Sequence, residues 1–273
     1  DFGDGTYAGS KIAGGWDHHI QTHISNITDP LSSHGTACAG IIGALRFNNT
    51  GIAGIAGGDM AYNNKGVQLY SFGILDDGDW ISTSDVTDAI VQGALSSAYG
   101  LNIQSHSWGI YDGIQIHNGS SSLDQGDIAL LGQAVETCSR NQCVLVASRG
   151  NEGNADVRYP ACYTDYQVIN VGASGTNGAY MDGTNGDSWW ASSFGLSVDL
   201  VAPGTTQIVS VPNNPNHPMH ITASCSTFGS NGEYECFNGT SSAAPHVAGV
   251  AALMMSRHNT VLGYHNNLAP EDV

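Results

Sequence analysis

Basic side chains are scarce in this sequence: 7 Lys and Arg stand against 24 Asp and Glu, a formal net charge of −17 over 273 residues. A surface of that sign repels phosphate backbones and anionic membranes, so nucleic acid is not an expected partner, and the acidity reads first as a device for staying dispersed. Long apolar runs are missing as well. The longest, Ala243 to Met255, is interrupted by Pro245 and His246 and falls short of the roughly 20 residues that cross a bilayer, so no membrane span is expected. No signal-like segment opens the sequence. The six cysteines (Cys38, Cys138, Cys143, Cys162, Cys225 and Cys236) are scattered and never take Cys-x-x-Cys spacing, which argues against a disulfide-scaffold miniprotein and against zinc.

At 273 residues and 41% hydrophobic content the chain can bury one large core, and a single domain over 1–273 is the expectation. Strand-like runs at 67–75, 144–147, 168–171 and 198–202 alternate with helix-like runs at 35–45, 84–99, 127–138 and 243–257. That alternation predicts an α/β fold with a parallel sheet and crossover helices. Ser84 and Asp88 are the capping candidates of the second helix, and Gly100 the residue just past its end. A loop-closing disulfide is expected between Cys225 and Cys236, and a short one between Cys138 and Cys143. Cys38, inside the apolar run HGTACAGII, is expected to remain a buried thiol. Asp76, Asp77 and Asp79 lack the alternating ligands and closing Glu of a calcium loop and read as a turn.

Three stretches carry chemistry. A serine hydroxyl is a weak nucleophile at neutral pH, so hydrolysis needs a base within hydrogen-bond reach and donors aimed at the developing oxyanion. His34 heads HGTACAG, at the start of a helix that can hold an imidazole rigidly. Ser241 stands in FNGTSSAAPHVAGVAALMM, at the N-terminus of an apolar helix whose dipole favours negative charge, with Pro245 in the first turn, where proline is tolerated. Asn151 lies between them in VLVASRGNEG. The remaining histidines share no metal-ligand spacing, and His246 reads as a packing residue.

These motifs, in this order, resemble those of the subtilase family: His-Gly-Thr-x-x-Ala-Gly, then the oxyanion-asparagine segment, then Gly-Thr-Ser-x-Ala-x-Pro-His-Val-Ala-Gly. GIAGIAG at 51–57 and DLVAPG at 199–204 extend the resemblance over nearly the whole chain. It implies a three-layer subtilisin-like fold, a mostly parallel central sheet flanked by helices, and peptide-bond hydrolysis through an acyl-enzyme on Ser241. His34 would be general base and then acid, with Asn151 and the Ser241 amide as oxyanion donors. It further implies a substrate pocket lined by Ser107, Trp108, Gly109, Gly150 and Glu152. There Glu152 near the floor would favour basic or polar side chains, and Arg149 would narrow the wall. Protein or peptide substrates, an upstream propeptide, secretion or display at the cell surface, and a structural calcium of unknown ligands complete what the resemblance implies; no cofactor is required for catalysis.

The pattern departs from the family at its start. The aspartate that partners the catalytic histidine closes a hydrophobic strand, and no such strand precedes His34. Asp1 is one candidate. The other is a residue upstream, because DFGDGTYAGSKIAGGWD resembles the segment after that aspartate. NLAPEDV at the other end resembles the start of the family's last conserved helix, so the sequence is read as a domain truncated at both ends. Losing the aspartate costs on the order of 10⁴ in kcat, which leaves a competing expectation: a catalytically impaired, subtilase-like peptide-binding domain of a larger surface protein.

Overall fold

A computed structural model describes residues 2, 11–18, 20–24, 33–49, 51–76, 79–80, 82–112, 122–156, 158–185, 189–205, 207–210 and 234–261. In chain order its elements begin with β1 (Ile12–Asp17), β2 (Thr22–His23), α1 (Ser33–Gly43), β3 (Leu69–Gly73), β4 (Leu75–Asp76), β5 (Asp79–Trp80) and α2 (Thr83–Ala94). There follow β6 (Ile103–His106), β7 (Ile110–Asp112), β8 (Ser122–Leu123), α3 (Gln125–Arg140), β9 (Val144–Ser148) and β10 (Arg158–Tyr159). The chain continues through β11 (Ile169–Ser174), β12 (Leu200–Pro203), β13 (Gln207–Ser210), β14 (Tyr234–Phe237) and α4 (Thr240–Val261).

The strand VLVAS of β9 is buried along its whole length, as a strand covered on both faces must be. Its side chains alternate between two cores. Leu145 and Ala147 join Val86, Ile90, Leu131 and Val135 of α2 and α3. Val144 and Val146 join Ala243, Ala244 and Ala248 of α4. The strands β12, β11, β9 and β6 lie side by side in that order, all parallel. Helices on both faces of a parallel sheet give the three-layer α/β architecture. A second small sheet pairs β1 in parallel with β3 and antiparallel with β2, so the parallel strands fall into two pieces among the described residues.

Several local expectations are corrected. The cap of α2 is neither Ser84 nor Asp88 but Ser82, whose hydroxyl accepts from the Asp85 amide at 3.2 Å. That helix ends at Ala94 rather than 99, because Ser96 and Ser97 are exposed and bring no apolar face to bury. Gly100 does take a left-handed conformation (φ 58°), in the turn beyond the helix, where its amide bonds the Leu95 carbonyl at 2.9 Å. Cys138 and Cys143 are free thiols. Their proximity has another cause. The Cys143 amide reaches the Cys138 carbonyl at 2.9 Å and the Gln142 amide the Ser139 carbonyl at 3.0 Å, with Gln142 left-handed at φ 57°. This is a Schellman ending of α3, and the two buried cysteines are its apolar pair. The expected Cys225–Cys236 bond involves Cys225, which lies outside the described residues. Cys38 is a free thiol. Asp76 and Asp79 pair across a small hairpin, in keeping with a turn.

Candidate active site

The first turn of α4 organises the site. Pro245 has no N–H, so the Ser241 carbonyl four residues earlier loses its helical partner. Two side chains take its place: the Ser107 hydroxyl donates to that carbonyl at 2.9 Å and the Cys38 thiol at 3.5 Å. The missing helical bond thereby ties α4 to the end of β6 and to α1. The Ser241 hydroxyl in turn donates to the Ser107 carbonyl at 3.1 Å.

Asn151 follows β9, one residue past Gly150, which is left-handed at φ 117°. The Asn151 Oδ1 accepts from the Thr240 amide at 2.8 Å and from the Thr240 hydroxyl at 2.9 Å. An amide donor can meet only the oxygen end, so the carboxamide orientation is fixed and Nδ2 is its outward end. The Gly150 amide donates to the Thr240 hydroxyl at 3.0 Å, closing a ring of bonds between the β9 loop and the helix. Gly239 (φ 95°) must be glycine, since a Cβ there would lie 3.0 Å from Asn151 Nδ2. Neither Asn151 Nδ2 nor the Ser241 amide bonds another described residue; the amide is one of the donors a helix N-terminus leaves unpaired. Two free donors therefore stand beside one serine hydroxyl, an arrangement suited to receiving an oxyanion.

His34 sits in the first turn of α1, which packs on α4. Its ring lies edge-on to Phe237 with centroids 5.2 Å apart, and its Nδ1 is 4.0 Å from Cys38 Sγ. Burial lowers the His34 pKa below that of a free imidazole, favouring the neutral form a base requires. Burial also pushes the Cys38 thiol up to about 12, so it is protonated and no rival nucleophile.

The expected pocket residues separate. Ser107 and Gly109 follow β6, and Gly150 and Glu152 flank Asn151. Trp108, however, turns its ring into the α2–α3 layer, edge-on to His106 at 5.3 Å. Arg149 does not narrow the wall: it is 1% exposed and donates to the carbonyls of Asp156 and Phe194, each at 2.7 Å. Glu152 does not present a free carboxylate, because Arg158 Nη1 lies 2.9 Å from its Oε1. Arg158 is the site residue that the sequence does not announce. Thr240 was signalled as a fixed position of the serine motif; Arg158, in the unpatterned DVRYP, carried no signal. Among the described residues no three His, Cys, Asp or Glu side chains cluster to hold a metal. Among those residues, too, no helix is long and apolar enough to cross a membrane.

A family profile described as the subtilase family matches residues 13–273. Thermitase of Thermoactinomyces vulgaris is 31% identical over 255 residues, 90% of this chain and 68% of its own length. Subtilisin DY of Bacillus licheniformis is 32% identical over 234 residues, 84% of this chain and 66% of its own. Alkaline elastase YaB of Bacillus sp. (strain YaB) is 30% identical over 258 residues, 94% of this chain and 53% of its own. The chain thus spans about half to two thirds of the length of these relatives. Among solved structures, fervidolysin from Fervidobacterium pennivorans, a keratinolytic enzyme related to subtilisin, superposes with a TM-score of 0.66 at 22% identity, over 94% of this chain and 34% of that one. A cold-adapted subtilisin-like serine proteinase gives 0.63 at 23% identity, over 94% and 70% of the two chains, so the fold is shared.

Proposed function

Because the chain belongs to the subtilase family, we propose that it is a serine endopeptidase that hydrolyses peptide bonds through an acyl-enzyme on Ser241. The observation that carries this reading is the pair of unengaged donors, Asn151 Nδ2 and the Ser241 amide, beside a serine whose carbonyl is pinned by Ser107 and Cys38. The Ser241 hydroxyl leaves the Ser107 carbonyl and gives its proton to neutral His34 as Oγ bonds the scissile carbonyl carbon. The carbonyl oxygen becomes an oxyanion between the two donors. Collapse breaks the C–N bond, and His34 returns the proton to the leaving amine. Water then repeats the sequence on the ester, releasing the acid and restoring Ser241.

A carboxylate on His34 completes this proposal. Among the described residues, β3 pairs only with β1 and β6 only with β9. A further strand pairing with one of these edges could carry that aspartate. Its source is the residue expected upstream, or Asp1, which lies outside the described residues. Export, a propeptide and peptide substrates belong to the same reading.

Fluorophosphonate labelling of the full-length protein tests it. Labelling of the native protein and none of Ser241→Ala is the expected result. A native protein that stays unlabelled would sink the hydrolase reading and favour the peptide-binding domain.

A further inference from the structure

A single side chain occupies the slot beside the nucleophile. Two backbone segments flank Ser241: 107–109, which binds its hydroxyl and carbonyl, and 150–152, which holds the Asn151 amide. Each segment carries a glycine where it faces the other side of the slot. A Cβ on Gly109 would lie 3.6 Å from Arg158 Cβ and 3.7 Å from its Nε; one on Gly150 would lie 2.9 Å from its Cδ and Nη1. The stem of Arg158 therefore runs between the two walls and makes the slot shallow. Its position is set by pairing of Arg158 with Tyr111 across β10 and β7, and by stacking of the guanidinium 4.3 Å from the Tyr111 ring centre.

The polar groups at the floor are unequally satisfied. Glu152 Oε2 accepts from the Asn151 amide at 2.9 Å, from the Ser193 hydroxyl at 3.1 Å and from Arg158 Nη1 at 3.1 Å, and Oε1 lies 2.9 Å from the same Nη1. Its Oε2 is thereby crowded with donors, and its charge is paired with the guanidinium. A guanidinium has about five N–H donors. Those of Nη1 face Glu152, while Nε is buried without a partner and Nη2 makes no hydrogen bond to a described residue. The guanidinium keeps donors that Glu152 does not take up.

We propose that Arg158 is the specificity-determining residue of this site, and that the slot takes a P1 side chain ending in a carboxylate. This deepens the hydrolase reading and rests on it. A glutamate at P1 supplies an acceptor for Nη2, as a charge-assisted bond. A basic side chain meets a guanidinium already paired with Glu152, and a large aromatic ring meets the arginine stem.

The test uses the full-length protein and blocked Ala-Ala-Ala-X anilides with X as Glu, Gln, Lys or Phe. Expected is a kcat/KM for Glu at least tenfold above those for Lys and Phe, with Gln between. In Arg158→Met that order should collapse, Glu losing at least tenfold and Phe gaining. If the Met variant does not fold, Arg158→Lys, which keeps the cation but removes the Nη2 donors, should lower the Glu preference several-fold. A native preference for Phe or Lys, or a ranking unmoved in the folded variants, overturns the assignment while leaving the hydrolase reading intact. If no anilide is cleaved, the hydrolase reading fails, and fluorescence anisotropy of labelled peptides on Ser241→Ala decides the slot. Tighter binding of the Glu peptide, lost on adding Arg158→Met, upholds it; equal or absent binding overturns it.

Discussion

The two walls of the candidate site are built by different physics. The oxyanion wall is a mesh of short hydrogen bonds: Thr240 to Asn151 at 2.8 and 2.9 Å, Gly150 to Thr240 at 3.0 Å, Ser107 and Ser241 to each other at 2.9 and 3.1 Å. The contacts of His34 include packing against Phe237 and a 4.0 Å approach to Cys38 Sγ. The mesh fixes donor directions to a fraction of an ångström before any substrate arrives, which is what transition-state stabilisation demands. The imidazole must turn and exchange protons, and soft packing permits that. Substitutions in the mesh should therefore be felt in kcat, and those around His34 should be milder.

The sharpest way to break the contrast is Asn151→Ala. On the proposed mechanism it removes one of two oxyanion donors and leaves substrate binding alone, so kcat should fall about 10²- to 10³-fold with KM nearly constant in steady-state kinetics. A comparable rise in KM instead would mean that Asn151 binds the ground state.

Acid should loosen the strand that carries Ser107. His106, on β6 one residue before Ser107, is 8% exposed, and burial lowers its pKa to about 4. Gln104 donates to the Ile90 carbonyl at 2.9 Å, which turns its Oε1 toward His106, 3.1 Å away, so neutral His106 carries its proton on Nε2. A folded pKa below the unfolded 6.5 means the unfolded chain binds the extra proton. Stability from this group is thus complete above pH 6.5 and is lost as pH falls toward 4. The loss amounts to about 3 kcal/mol. Denaturant titrations of native protein and His106→Gln at pH 7 and pH 4.5 should show the native protein losing more, the excess being that of one proton. Equal losses in the two proteins would put the acid lability elsewhere.

How much of this was legible in the sequence follows the same division. The helix that carries Ser241, the buried run of β9 and the place of His34 at a helix start could be read, because apolar periodicity and a Gly-Thr-Ser or His-Gly-Thr run are local signals. The four-stranded sheet order is not local and came only with the structure. The cysteine spacing at 138 and 143 misled, because a Schellman turn and a disulfide both bring such residues together, and only backbone geometry tells them apart. Arg149 and Arg158 lie nine residues apart, and neither position reveals direction. One guanidinium turns inward to two carbonyls and the other runs between two glycines, an outcome fixed by the loop around them.

Thr240→Val isolates the mesh more gently. The Thr240 amide still reaches Asn151, but the hydroxyl bonds to Asn151 and from Gly150 disappear. Losing a buried hydrogen bond costs about 1–3 kcal/mol and two are lost here, so a loosened Asn151 should lower kcat roughly tenfold. A full Asn151→Ala effect from this substitution would make Thr240 the principal orienter; no effect would give that role to the backbone amide alone.

Cys38→Ala is the smallest and most discriminating change, because Cys38 touches both walls. On the oxyanion side its thiol is the weaker of two donors to the Ser241 carbonyl, and Ser107 remains in place at 2.9 Å. On the histidine side its sulfur is a neighbour of the imidazole. If packing alone holds His34, truncation should cost stability on the order of 1 kcal/mol and reduce kcat only a few-fold, with the acid limb of the kcat/KM profile unmoved, since burial and not the protonated thiol lowers the His34 pKa. A shifted acid limb would show that the sulfur contributes electrostatically to the base, and the two walls would then be one network joined at Cys38.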